Sequence, residues 1–224
     1  MPAEQSQALA AAQAAAAVVA DAVEREEGPM TPNKRRIVEA AILAFAEKGY
    51  AATSTKAIAV EAGVSEAAIF RHFPTKKDLL LRLLQPFARH VVVASGLEEL
   101  SVALTQSADM EELIRHMMRN RLALVRQFAP VVRIMVQELP FQPELQAALA
   151  AQLPHIRANI EHVLGSELAA GRIRPMQIDR MMRWVASLFL GYFLFSTHMP
   201  RRDGWDDEAE IAEMAAFVAR GVAP

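Results

Sequence analysis

Apolar residues recur at helical spacing along most of this chain, and the stops between them are marked by glycine, proline and hydroxyl residues. Thr31-Pro32 has the form of an N-cap followed by a first helical residue. Ile37, Ala41 and Phe45 then fall every four residues on one stripe, and Gly49 closes that helix. A second, short helix starts at Thr53 or Ser54, turns Ile58 and Ala59 inward and stops at Gly63. Ser65 caps a third, with Ile69 and Phe73 inward. Thr75 and Asp78 have capping-box spacing, and a fourth helix follows with Leu79, Leu80, Leu83 and Leu84 until Pro86 kinks or ends it. Five further helices are predicted over 109–128, 130–139, 143–170 (interrupted by Pro154), 178–197 and 206–220. No strand pattern competes. The fold class is therefore all-α: an N-terminal three-helix unit carrying a helix-turn-helix, then a larger helical bundle.

The stretch from 53 to 73 carries the most information. Gly63 can adopt the left-handed conformation that lets the chain turn sharply between two helices. Ala59 is small where those helices must cross, and Val64 and Ile69 fill the space between them. This is the helix-turn-helix layout, whose second helix enters the major groove of DNA.

Composition and charge sharpen the picture. The chain has 224 residues, enough for one or two domains, and no cysteine, which excludes disulfides and thiolate metal sites and fits a reducing, cytoplasmic setting. No secretory signal is expected, because no positive charge precedes the apolar run 8–20. The strongly apolar stretch 184–195 is short of the roughly 18–20 residues that cross a bilayer. The overall charge is −2, but residues 31–84 hold nine bases and five acids, so the one basic segment coincides with the helix-turn-helix. Residues 1–30, rich in alanine and glutamine, favour helix but have little to bury, and are expected to be a mobile or loosely helical tail to which no function is given.

Ile37, Ala41 and Phe45, then Gly49-Tyr50, Thr53, Ile58-Ala59, Ala62-Gly63-Val64-Ser65, Ile69-Phe70, His72-Phe73 and Lys76 before Leu79 resemble the DNA-binding domain of the TetR family. That resemblance implies a DNA-binding domain over 31–91, with its motif at about 54–73, and an effector-binding and dimerisation domain over 92–224. It implies that Thr53, Ser54 and Thr55 approach phosphates and that Lys56 lies on the exposed side of that helix. It implies that Ser65, Glu66, Ala67 and Ala68 face base edges, and that much base discrimination rests on Arg71, Lys56 or DNA shape. It puts Phe70, Arg71 and His72 near the backbone, and gives Lys76 a phosphate at the start of the fourth helix. Two positions depart from the family pattern. Phe70 replaces the usual Tyr and lacks its hydroxyl, and Ala68 stands where Thr or Ser is common. Ala67 and Ala68 can offer only apolar contact, for example to a thymine methyl. Glu66 can accept from cytosine N4 or simply complement the helix dipole.

For the second domain the resemblance implies a ligand-controlled regulator, a repressor released from operator DNA by a small apolar effector. Candidate pocket residues are Met117, Met118, Arg121, Phe128, Met135, His155, Phe189 and Phe193, with ordinary core packing as the alternative for each Met and Phe. The helix over 178–197 is apolar on nearly every face through Met181, Trp184, Val185, Leu188, Tyr192 and Phe195. It therefore needs cover on both sides. With Ile211, Met214, Phe217 and Val218 of the last helix it would form a four-helix interface in a homodimer; the alternative is the central helix of a monomer. No metal site, cofactor or catalytic set is expected, since His155 and His162 have no His or carboxylate partners at ligand spacing. Two rival classes remain, a small helical enzyme and an effector-free architectural DNA-binding protein.

Overall fold

The computed structural model describes residues 2–89, 109–171, 173–198 and 205–224. The regular elements among them are all helical. They are α1 (Pro2–Glu27), α2 (Pro32–Lys48), α3 (Thr55–Ala62), α4 (Glu66–His72), α5 (Lys76–Phe87), α6 (Met110–Gln127), α7 (Ala129–Glu138), a 3-10 turn (Leu139–Phe141), α8 (Pro143–Ala150), α9 (Leu153–Ala169), α10 (Ile178–His198) and α11 (Asp207–Val222). No helix among the described residues is long and apolar enough to cross a membrane.

The N-terminal helices start where local chemistry dictates. A helix leaves its first N–H groups without internal partners, and a side-chain oxygen just upstream satisfies one of them. Thr31 Oγ1 accepts from the Lys34 N–H, Ser54 Oγ from the Ala57 N–H and Ser65 Oγ from the Ala68 N–H. At α5 the box closes in both directions: the Asp78 N–H donates to Thr75 Oγ1 and the Thr75 N–H to the Asp78 carboxylate, each at 3.0 Å. Between α3 and α4, Gly63 adopts φ 64°, ψ 39°, while the Val64 N–H returns to the Ala59 carbonyl at 3.0 Å.

The described residues form two compact units. The first holds residues 2–89 together with 126–152, and the second holds 109–125 together with 153–224. The expected domain boundary at residue 91 lies outside the described residues. Residues 126–152, expected in the effector domain, instead pack with the N-terminal helices.

In the first unit, α2 to α5 enclose a core of Ile37, Phe45, Ile58, Ile69, Phe73, Leu79 and Leu83, all buried. The mobile or loosely helical tail expected over 1–30 is helix α1, and it packs against α2, α5 and α7 rather than standing apart. Its buried face is Ala15, Ala16, Val19, Ala20, Ala22 and Val23, a stripe of small residues that lets neighbouring helices approach closely. Acids at its C-terminal end then meet bases on α2 and just beyond α5. Arg35 pairs with Asp21 and Glu24 at 2.7 Å, Lys34 with Glu27 at 2.6 Å, and Arg89 with Glu26. The Glu24 carboxyl also accepts from the Met30 N–H, and these bonds hold its pKa below the usual carboxylate value. Alanine richness read as a lack of anything to bury, whereas it is what permits the close fit.

The second unit centres on Leu164, Ile173 and Val222, covered by Met110, Ile160, Leu168, Met176 and Met181. Arg119 of α6 grips Glu208 of α11, and Arg157 of α9 reaches Asp179 of α10 at 3.1 Å. The long helix expected over 143–170 is two helices. The chain breaks at Ala151-Gln152, so Pro154 falls in the first turn of α9, where a missing N–H costs no internal hydrogen bond.

Candidate nucleic-acid interface

Adjacent hydroxyl residues at the start of α3 have different tasks. Thr53 is 2% exposed, and its hydroxyl bonds the Gly49 carbonyl at 2.7 Å and the Ala44 carbonyl at 3.1 Å. It fixes the α2–α3 connection and cannot reach a phosphate, which corrects its expected role. Ser54 is exposed and serves as the α3 cap. Thr55 is half-buried, and its hydroxyl donates to the Glu66 carboxylate at the head of α4.

Along α4, Glu66, Ala67, Phe70 and Arg71 are exposed, and His72 is half-exposed beside the Phe73 ring. Ala68 is buried, so it packs the helix pair rather than facing base edges, a second correction. Lys56 is exposed on α3.

Lys76 differs from its expected role as well. Its ammonium donates to the carbonyls of Tyr50 at 2.7 Å and Thr53 at 2.8 Å, and lies 4.3 Å from the centre of the Tyr50 ring. It is a staple joining α5 to the α2–α3 connection, and Tyr50 in turn meets Phe45 edge-on at 5.3 Å. Lys76→Ala is therefore expected to lower thermal stability by about 1–3 kcal/mol, because carbonyls lose a charged donor. Calorimetry checks this; an unchanged melting temperature refutes the staple.

An open cavity of about 500 Å³ lies over this junction, bordered by Ala52, Ser54, Thr55, Phe70, Thr75 and Lys76. The first turns of α3 and α5 and the Lys76 side chain border it. Phe70 supplies an apolar wall where a tyrosine would have supplied a hydroxyl. Two residues not singled out from the sequence are also exposed on α2 and α3. Val60 is strongly exposed on α3, and Arg36 of α2 stands beside the Gly63 turn. Arg36 carried no local signal, because it meets the turn only through the packing of α2 against α3.

Residues 37–83 match the family described as bacterial regulatory proteins, tetR family. The chain is 51% identical over 55 residues to the HTH-type transcriptional regulator YvkB of Bacillus subtilis, a match spanning 25% of this chain and 29% of that protein. It is 25% identical over 186 residues to the HTH-type transcriptional regulator Rv1556 of Mycobacterium tuberculosis, spanning 83% of this chain and 86% of that one. The TetR family regulator PfmR of Thermus thermophilus superposes with a TM-score of 0.62 at 25% identity, over 84% of this chain and all of that chain. Residues 37–83 are thus a TetR-type DNA-binding domain. Its α3–α4 pair is a TetR helix-turn-helix DNA-binding domain, and its relatives are transcriptional regulators, not enzymes.

The effector candidates divide between the two units. Phe128 and Met135 lie buried in the first unit, Phe128 edge-on to Phe87 at 5.3 Å. Met117, Met118, Arg121, Phe189 and Phe193 lie in the second, with Met118 and Phe193 buried and the others half-buried. His155 is exposed on α9 and lines no core, which corrects its expected place. Among the described residues no three His, Cys, Asp or Glu side chains could hold a metal ion.

The residues expected at a subunit interface also divide. Ile211 is 2% exposed and Met181 packs on the Leu164 cluster, so both serve their own unit. Tyr192 donates its hydroxyl to Asp207 and stacks on Trp205 at 6.0 Å, holding α10 to the start of α11. Val185, Leu188, Met214 and Val218 are half-buried. By contrast Trp184 is 55% exposed, Phe195 61% and Phe217 67%; Leu190, not singled out from the sequence, is exposed too.

Proposed function

We propose that this protein is a homodimeric transcriptional repressor that binds operator DNA through its α3–α4 heads and is released by a small apolar effector. The observation that carries the proposal is the exposed, capped head. A seven-residue recognition helix presents Glu66, Ala67, Phe70 and Arg71 to solvent beside a cavity bordered by the first turns of α3 and α5. Ser54 and the first-turn N–H groups of α3 would hold a phosphate, with the α5 N-terminus on the other side of the cavity. Lys56 and Arg71 would add phosphate or base contacts, and Phe70 would pack against a sugar.

Trp184, Leu188 and Phe195 follow one stripe of α10, and a side chain built at Gly191 between them would meet open space. That apolar stripe supports pairing with a second copy. Two heads must then stand ~34–36 Å apart to occupy successive major grooves. An effector preferring a differently spaced pair lowers DNA affinity by its differential binding to the two states. The methionines of α6 suit an adaptable apolar site.

The test is a gel shift on genomic fragments selected by the protein, repeated across a panel of apolar metabolites. Retarded fragments that a panel member releases support the reading. A protein that retards no duplex in dilute buffer overturns it, and a tight binder that leaves DNA affinity unchanged removes the effector scheme.

A further inference from the structure

We propose that Glu66 selects a cytosine in each operator half-site and that Thr55 is its positioning residue; this rests on the operator-reading role proposed above. Glu66 is the first residue of α4 and is exposed, and Thr55 is the first residue of α3. The Thr55 hydroxyl donates to Oε1 of Glu66 across the helix-turn-helix. A surface glutamate ordinarily samples many rotamers. Here the hydroxyl, anchored on a capped helix, holds the carboxylate in one place and leaves Oε2 to accept elsewhere.

Cap duty does not account for the carboxylate, because Ser65 already fills that role toward the Ala68 N–H. Nor do its neighbours compete for the reading. Ala67 offers a methyl, Ala68 is buried, and Glu66 is the single charged side chain in the first turn of α4. An ionised carboxylate only accepts. In the major groove cytosine presents an amino donor at N4, guanine presents two acceptors, and thymine an acceptor and a methyl. Adenine sets its N6 donor beside the N7 acceptor, which a carboxylate oxygen meets unfavourably. A negative charge also works against phosphates, so Glu66 weakens every duplex that offers no amino group at its position. Selection thus comes from an attraction to one base and a penalty on the others.

The experiment presents one library of randomised duplexes to the full-length wild type, Glu66→Gln and Thr55→Val, at a single salt concentration, and sequences the bound fractions. The wild-type motif is expected to hold a cytosine at one position per half-site, with a preference on the order of tenfold. Glu66→Gln, exposed and of equal shape, should lose that preference and move toward adenine, which an amide pairs with through N6 and N7. It should also bind unselected duplex more tightly. Thr55→Val should keep a weakened cytosine preference, an effect on base choice that a merely structural bond would not produce. Identical motifs from the wild type and Glu66→Gln overturn the inference while leaving operator reading intact. A Thr55→Val motif equal to the wild type's removes the positioning role. A wild type that enriches no motif removes the operator reading itself, and this inference with it.

Discussion

Phe45→Ala is expected to melt the DNA-binding domain first and abolish DNA retention with it. Phe45 is buried at the centre of the first unit, on α2 and edge-on to Tyr50. Truncating a buried phenylalanine costs about 3–5 kcal/mol, from lost transfer free energy and the cavity left behind. A domain of this size is stable by only about 5–15 kcal/mol. The shift in melting temperature should therefore exceed roughly 10 °C. The damage also spreads, because Tyr50 provides both a carbonyl and a ring face to Lys76. Calorimetry with a parallel gel shift checks the outcome. Wild-type melting would mean that α2 does not organise this core.

Trp184→Glu combined with Phe195→Glu should separate the subunits and reduce operator affinity by about a hundredfold or more, because linked heads gain that much from binding together. The two aromatics lie three turns apart on the exposed stripe of α10, away from Met181 and Ile173 in the core of their own unit. Carboxylates there disfavour burial against a second copy without emptying that core. Light scattering reads the assembly and fluorescence anisotropy the affinity. If the double variant still scatters as a dimer, the interface lies on another face; if the wild type scatters as a monomer, the dimer proposal is lost.

The parts of this molecule legible in its sequence are those governed by short-range chemistry. Thr31, Ser54, Ser65 and Thr75 each cap the helix their spacing announced, since a cap needs only a hydroxyl and an N–H three residues on. Gly63 stands at the predicted turn for the same reason. What escaped depended on rotation and on remote partners. Thr53 and Ser54 are chemically alike, and only the path of the connection decides which hydroxyl turns inward. Ala68 sits one step round a seven-residue helix from the exposed Ala67. Ile211 and Phe217 both belong to the apolar side of α11, yet one is covered by its own unit and the other is bare. Periodicity ranks such residues equally, because it does not know what lies opposite.

Helix α1 gives these observations a practical side. Its sequence invites removal as a low-complexity leader before expression or crystallisation. A chain trimmed after Glu27 would uncover the surfaces of α2 and α5 that α1 covers, would remove the carboxylates that Lys34 and Arg89 meet, and would leave Arg35 with Glu39 in place of Asp21 and Glu24. The shortened product would be stickier toward itself and toward any polyanion, heparin resin included. Measurements of sequence preference made on it would describe a different electrostatic object.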